Sequence, residues 1–290
     1  MIRSATQEDL NSIKKLWDRA FSDPLDYVDF VYDHVTNIGD TIVLEENERV
    51  VAMLTVIPTT FTFRDKSIKA AYFYGAATEK KFQKKGYMTA LLDYAEKRCR
   101  EDKYALSVLV PGESVLFDYY KNRGYSADFC CRLVDIEAGM LETSLKPDTE
   151  IVYDKPDYKK IYALREKALY DTPHISWDQK MIGVVINDCL LYGESVAYYK
   201  GEYGEAYAVF DVQHDRMFVK ECFGTSEEAE MLLLREIVVN HNPKSVTVQL
   251  PLSSNLFKYD GERARYGMSK PLNIDSGIRD MDPYMNLMLD

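Results

Sequence analysis

Apolar residues recur along this chain with two periods, one helical and one strand-like, and the switches between them lay out its elements. Residues 2 to 5 read as a short strand. Leu10, Ile13, Leu16, Trp17 and Phe21 form one stripe of a helix. A Thr6-to-Asp9 capping box opens it, satisfying amides that a helix start leaves free. Leu25, Val28, Val31, Tyr32 and Val35 predict a second amphipathic helix. The segment "TIVLEENERVVAMLTVIPTTF" (41–61) predicts two strands around the turn EENE, and "KAAYFYGAAT" (69–78) predicts a third. Next come a helix carrying Met88, Leu91, Leu92, Ala95 and Cys99 on one face, and a buried strand, "YALSVLV" (104–110). The segment "GESVLFDYYKNRGY" (112–125) predicts a short helix stopped by Gly124, and "SADFCCRLVDIE" closes the unit with strand character. The order β-α-α-β-β-β-α-β-α-β predicts an α/β fold, a mixed sheet with helices on its faces.

After a polar, linker-like stretch (139–150) the pattern returns. "DLNSIKKLWDRAFSD" (9–23) aligns with "DYKKIYALREKALYD" (157–171) at a constant offset, with Asp9 on Asp157, Ile13 on Ile161, Leu16 on Leu164 and Ala20 on Ala168. Strands "ESVAYYKG", "EAYAVFDVQ" and "RMFVKECF", a helix "SEEAEMLLLREIVV" and a strand "SVTVQLP" then repeat the first unit's order, the signature of an internal duplication. Two domains are expected, 1–145 and 150–290.

Composition narrows the function classes. The formal net charge of −11 disfavours nucleic acid as a partner, since that affinity rests on neutralising phosphates. An acidic surface suits a cationic small substrate. No apolar run approaches the roughly 18 residues of a membrane span, and "MIRSATQEDL" has no signal-like apolar core, so a cytoplasmic protein without a membrane partner is expected. The five cysteines are scattered without a C-x-x-C pair and the four histidines are isolated, which disfavours disulfides and metal sites. No G-x-S-x-G elbow supports a serine hydrolase.

Against the acidic average, "EKKFQKKGYMTALL" (79–92) gathers four lysines around one glycine where a helix begins. A helix start leaves about four amides without partners and carries roughly half a positive charge, so an anion completes it. Gly86 lets a ligand approach the backbone closely. Phosphate is the natural partner, although neither a Walker loop nor a dinucleotide fingerprint is present.

The stretch Gln83-Lys84-Lys85-Gly86-Tyr87-Met88 resembles the Q/R-x-x-G-x-G/A signature of the GNAT superfamily of acyl-CoA-dependent N-acyltransferases, with Met88 where that family has a small residue. Phe82 before the motif and bulky residues after its glycine resemble the tandem-domain, Eis-like branch, without its sterol-carrier-like third domain. The resemblance implies two tandem GNAT folds. It also implies that amides from Lys84 to Thr89 hold the pyrophosphate of acetyl-CoA, and that Ala76, Ala77 and Thr78 contact its pantetheine and thioester arm. The corresponding turn of the second half, "ECFGTSEEAE" (221–230), carries Glu221, Glu227, Glu228 and Glu230 and would repel a pyrophosphate. It is expected to bind no cofactor.

A tyrosine near its ordinary acidity can protonate a leaving thiolate. The resemblance places that role on Tyr120, with Tyr119, about 100° round the helix, as the alternative. Glu113 and Asp118 are candidate bases that no spacing rule separates. In Eis-like enzymes the chain's own C-terminal carboxylate reaches the active site, which makes Asp290 at the end of "DPYMNLMLD" a further candidate. The expected activity is acetyl transfer from acetyl-CoA to a primary amine of a small or peptide-like acceptor, without a metal. The rivals are an acyl-CoA sensor without turnover and a purely structural scaffold. Monomer and homo-oligomer both stay open.

Overall fold

The computed structural model describes residues 1–21, 23, 25–141, 146–258, 260–274 and 281–289. They form two compact units. One comprises Met1–Phe61, Ser67–Ala127 and Gly267–Ser276; the other comprises Thr62–Lys66, Asp128–Tyr266 and Gly277–Asp290. Two contiguous halves divided near 145–150 do not describe this partition, because residues 267–276 return to the first unit.

The first unit holds β1 (Ile2–Ser4), α1 (Leu10–Ala20), α2 (Leu25–Phe30), β2 (Thr41–Glu46), β3 (Arg49–Phe63), β4 (Lys66–Thr78), α3 (Tyr87–Glu101), β5 (Leu106–Leu109) and α4 (Ser114–Lys121). The capping box at Thr6 is real, with the Thr6 amide donating to the Asp9 carboxylate at 2.8 Å. It caps a single 3-10 turn, Gln7–Asp9, that leads into α1. Two Arg3 contacts at 2.6 and 2.9 Å hold the Asp9 carboxyl down to about 2. The second helix ends at Phe30 and widens into a π turn over Val31–Val35.

The sheet order is β1-β2-β3-β4-β5. Successive strand residues face opposite ways, and a bulge at Val51, the extra residue between Val50↔Glu45 and Ala52↔Leu44, shifts that alternation along β3. Ile42, Leu44, Val51 and Leu54 therefore pack beneath α3 and α4. Val43, Val50 and Met53 pack beneath α1 and α2. This is why β2 and β3 read as unbroken apolar runs. β4 and β5 are parallel from Ala70↔Leu106 to Tyr72↔Val108. The other edge of β5 pairs with Met268–Pro271.

The second unit holds β6 (Ser126–Glu137), β7 (Val152–Tyr153), α5 (Tyr158–Ala168), β8 (His174–Ser176), α6 (Gln179–Leu191), β9 (Ser195–Gly201), β10 (Gly204–Gln213), β11 (Arg216–Gly224), α7 (Glu227–His241) and β12 (Ser245–Pro251). Its sheet order is β6-β12-β11-β10-β9-β7, with β11 and β12 parallel. β6 pairs antiparallel with β12 from Glu137↔Ser245 to Cys131↔Pro251. The strand expected to close the first unit therefore serves mainly in the second. On one face α7 packs Ala229, Leu232, Leu233 and Ile237 against Ala197, Ala208, Phe210 and Val219.

Toward α5 the second unit buries an ion pair. Arg165 Nε meets Glu221 Oε1 at 3.1 Å, and both side chains are wholly inaccessible. Tyr207 and Tyr284 donate their hydroxyls to the same carboxylate at 2.6 and 3.2 Å. Burial, the largest single influence, would lower the Arg165 pKa, but Glu221 together with Tyr207, Tyr284 and Glu166 raises it overall and keeps the guanidinium protonated. The apolar C-terminal run lies in this unit as far as Leu289: Tyr284 to Leu289 are all buried. The Tyr284 amide donates to the Pro173 carbonyl at 2.7 Å, and Trp177 Nε1 donates to the Leu287 carbonyl at 3.0 Å. Asp290 lies outside the described residues.

All five cysteines are buried, and burial pushes the Cys99 thiol up to about 12. No helix among the described residues is long and apolar enough to cross a membrane.

Candidate active site

The site grows from the end of β4. Pairing with β5 stops at Tyr72, yet β4 runs on to Thr78, so its last six residues leave β5 behind. Gly75 sits in this stretch at φ +59°, a conformation that glycine adopts without steric cost. A Cβ there would lie 2.6 Å from the Trp17 ring, so Gly75 lets α1 approach the kinked strand. A glycine inside a strand pattern signals such a bulge or close approach, a signal that the periodicity reading passed over.

Beyond the kink come the three residues assigned to the thioester arm. Ala76 is half-buried, and Ala77 is buried against α1 and α2. The Thr78 hydroxyl oxygen is buried without a hydrogen-bond partner among the described residues. An orphaned polar atom costs free energy unless something bonds to it. A ligand along β4 would relieve it.

The chain then doubles back through a 3-10 turn, Lys80–Phe82. Gln83 folds over this turn and donates its side-chain amide to the Thr78 carbonyl at 3.2 Å. Lys84 and Gly86 both take positive φ, +62° and +83°. Alternating handedness of this kind turns successive amides toward a common concavity. Ala90, donating to the Gly86 carbonyl at 3.0 Å, begins the ladder of α3, and the amides of Lys84 to Thr89 meet no protein acceptor among the described residues. Gly86 supplies no capping side chain, and a Cβ built on it would touch nothing within 4 Å. Unpaired donors, a 15-residue helix behind them and open space in front make an anion cradle.

The lysines are partly ordered. The Lys85 ammonium lies 4.7 Å from the Phe82 ring centre and 5.9 Å from that of Tyr87, and Lys81 lies 5.0 Å from Phe82 on cation–π contacts. Phe82, Tyr87 and Met88 also pack against the core beneath α3.

Tyr120 is buried in α4, its ring edge-on to those of Tyr119 (5.2 Å) and Tyr125 (5.7 Å). Its hydroxyl has no partner among the described residues. Burial, and secondarily the neighbouring Tyr119, pushes its phenol up to about 12. Tyr125 is fixed in turn by Ser107 of β5, whose hydroxyl donates to it at 3.0 Å. Gly124, at φ +86°, gives the left-handed stop expected of it.

Arg123 is the residue that sequence reasoning missed. Its Nε and Nη2 donate to Thr89 Oγ1 at 3.1 and 2.8 Å, and its Nη1 donates to the Tyr119 carbonyl at 2.7 Å. The guanidinium lies 3.4 Å from the Tyr119 ring centre. One side chain thus ties the turn after α4 to the first turn of α3, fixing Tyr120's helix relative to the cradle and covering a face of Tyr119. Nothing in "KNRGY" distinguishes it from a surface arginine.

Glu113 and Asp118 are both exposed. Among the described residues no group of three His, Cys, Asp or Glu is placed to hold a metal.

The second unit's corresponding turn, from β11 to α7, is closed by the protein itself. Ser226 Oγ accepts the Ala229 amide at 3.1 Å, and the Glu230 carboxylate accepts the Gly224 amide at 2.7 Å. Glu221 does not face this turn. Strand alternation sends it to the α5 side and Arg165, which corrects its expected part in repelling a phosphate.

Residues 1–127 match the family model of the acetyltransferase (GNAT) domain. No curated protein matches the chain. Among solved structures, a probable N-acyltransferase of unknown function from Enterococcus faecalis is similar over 94% of this chain and 73% of its own, at 14% identity and a TM-score of 0.80. A GCN5-related N-acetyltransferase from Kribbella flavida covers 94% and 71%, at 15% and 0.75. Eis1 from Mycobacterium abscessus covers 94% and 74%, at 11% and 0.71. At such identities the structures speak for the fold, and the family match speaks for the first unit. Residues 1–127 of this chain are an acetyltransferase domain of the GNAT family, the domain of acyl-CoA-dependent acyl transfer.

Proposed function

We propose that the first unit transfers an acetyl group from acetyl-CoA to a primary amine of a small or peptide-like acceptor by direct attack, in the cytoplasm. The observation that carries this reading is the set of unpaired amides from Lys84 to Thr89 around an open Gly86. Acetyl-CoA, when bound, supplies an acyl group activated as a thioester. The amides and the α3 dipole would hold its diphosphate, with Lys84 adding charge. Ala76 to Thr78 would line the arm, and the orphaned Thr78 hydroxyl gives that stretch a polar group to offer.

Tyr120 would serve the departing sulfur. With its phenol near 12 it stays protonated across the neutral range. Full transfer of that proton to a thiolate of ordinary acidity, near 8.5, would run uphill by roughly 5 kcal/mol. Its part in this reading is therefore a hydrogen bond that strengthens as charge gathers on sulfur. The same dry surroundings raise the basicity of the sulfur and narrow the gap. Arg123 positions Tyr120's helix. Asp290 is proposed as the acceptor of the amine's proton through its side-chain or terminal carboxylate. Asp290→Asn and a few alanines added after it, displacing the terminal carboxylate, test this together without removing the buried residues before it.

We read the second unit as a copy of the same fold that has given up cofactor binding. Its element order from β7 to β12 and its self-capped turn support this.

The test is Tyr120→Phe. We expect kcat to fall about 100- to 10,000-fold, with CoA affinity by calorimetry held within threefold. The kcat of the unaltered protein should show no alkaline decline from Tyr120 below about pH 11, since a group near 12 keeps its proton there. Unchanged kcat in the variant removes Tyr120 from the chemistry. Failure of the unaltered protein to bind CoA removes the whole reading.

A further inference from the structure

We propose that a cationic cleft beside the end of β4 takes an anionic group of the acceptor, so that the acceptor is an amine also bearing a carboxylate or phosphate. This rests on the acetyl-transfer reading and deepens it. The cleft lies in the first unit between α1 and the start of β3, with a volume of about 230 Å³. At about 30 Å³ per water molecule, it has room for an anionic head and a few carbons.

Its lining is unlike the rest of an acidic chain. Lys15 and Arg19 of α1 and Arg49 of β3 face it, with Ser12 as a hydroxyl donor and Glu79 as its one carboxylate. Glu79 is oversubscribed: Arg49 lies 2.8 Å from it, Arg19 3.5 Å and Lys81 3.6 Å. Lys15 has no partner among the described residues. Three cations against one carboxylate leave two positive charges in the cleft. The acidic residues of α2 (Asp26, Asp29) and Asp33 after it do not line it.

Position makes this an acceptor subsite. Glu79 directly follows Thr78, the last residue assigned to the thioester arm. Ala77 already packs on the α1 side of the sheet, and Glu79, two residues on, faces α1 as well. The cradle at Gly86 instead opens at the start of α3, which packs on the other face. An acceptor amine beside this stretch, on the α1 side of β4, would direct an anionic group along the strand toward the cleft. Guanidinium groups suit both carboxylate and phosphate through paired N–H donors.

The test compares matched acceptors: 4-aminobutyrate, its amide, phosphoethanolamine and putrescine, each with acetyl-CoA and thiol release as the readout. We expect at least tenfold higher kcat/KM for an anionic acceptor than for putrescine, and the first and third compounds separate carboxylate from phosphate. Arg19 is more than half exposed, so Arg19→Glu should fold. It should raise KM for the anionic acceptor at least tenfold, change kcat less than threefold, and leave KM for acetyl-CoA in place. Equal or better turnover of putrescine, or an unmoved KM in the variant, overturns the proposal. If no amine releases thiol although CoA binds, the acetyl-transfer reading fails by itself. Titration with inorganic phosphate followed by NMR then decides the cleft: binding lost in Arg19→Glu keeps an anion site, and absence of binding overturns it.

Discussion

Two strand-to-helix turns, β4 to α3 in the first unit and β11 to α7 in the second, begin from the same local problem and solve it oppositely. Each helix is 15 residues long and starts with amides that need acceptors. At α7 Ser226 accepts the Ala229 amide, the Glu230 carboxylate takes the Gly224 amide just before the helix, and Glu227 and Glu228 add negative charge to the positive first turn. At α3 it supplies none: the capping position is a bare glycine and lysines surround it. The comparison teaches that a helix start becomes a ligand site when the protein withholds its own caps. The cost of leaving donors open is borne until a ligand arrives.

A second pair of positions carries the contrast inward. At the offset that aligns α1 with α5, Trp17 corresponds to Arg165. Trp17 lies on the kink that Gly75 allows in β4. Arg165 meets Glu221 beside a bulge in β11, where Lys220 is the extra residue against β10, and both charges are wholly buried. Both strands are irregular near this place, and one unit fills it with an indole ring, the other with an internal polar lock.

These contrasts can be broken one at a time. The largest effect should come from Glu221→Ala, which leaves the buried Arg165 charge with only the Glu166 carboxylate at 4.0 Å among the described residues. We expect a loss of about 3–5 kcal/mol, read by chemical denaturation, and a loss under 1 kcal/mol would mean that the lock contributes little. Glu230 comes next. Desolvation pushes its carboxyl up to about 7 despite the Gly224 amide. A folded pKa above the unfolded one favours the protonated form, so its contribution is whole below about pH 4.5 and is lost as pH rises through 7. Glu230→Gln should therefore match the unaltered protein near pH 4.5 and exceed it at pH 8 by up to roughly 3 kcal/mol. A pH-independent difference would sink this assignment.

Gly86→Ala and Gly224→Ala form a matched pair. The first places a Cβ in the open cradle at positive φ, a strain of about 1–2 kcal/mol, and should weaken CoA binding roughly tenfold or more by calorimetry. At Gly224 a Cβ would lie 3.0 Å from the Glu205 carbonyl oxygen. That variant should lose thermal stability and leave CoA affinity alone. Equal CoA affinity in both variants would contradict the contrast between the turns. The smallest effect belongs to Ser226→Ala, about 1 kcal/mol of stability, with no change in CoA binding.

The sequence by itself determined much of this protein. Apolar spacing placed the helices at Leu10, Tyr87 and Glu227, and the gathering of lysines at an uncapped glycine marked the cradle. The left-handed stop at Gly124 was legible because backbone handedness is a local property. Tertiary structure alone decided which strand closes each sheet. β6 reads as a strand and an alternating pattern fits any free edge, so only packing sends it to β12, while the pairing of Met268–Pro271 with β5 was not anticipated from the sequence at all. It likewise decided that Arg123 reaches Thr89, that Trp17 fills the space at Gly75 and that Glu221 faces Arg165. Side-chain reach between elements far apart in the chain leaves no periodic trace. The fold is written in local periods, whereas the site's supports arise only when distant segments meet.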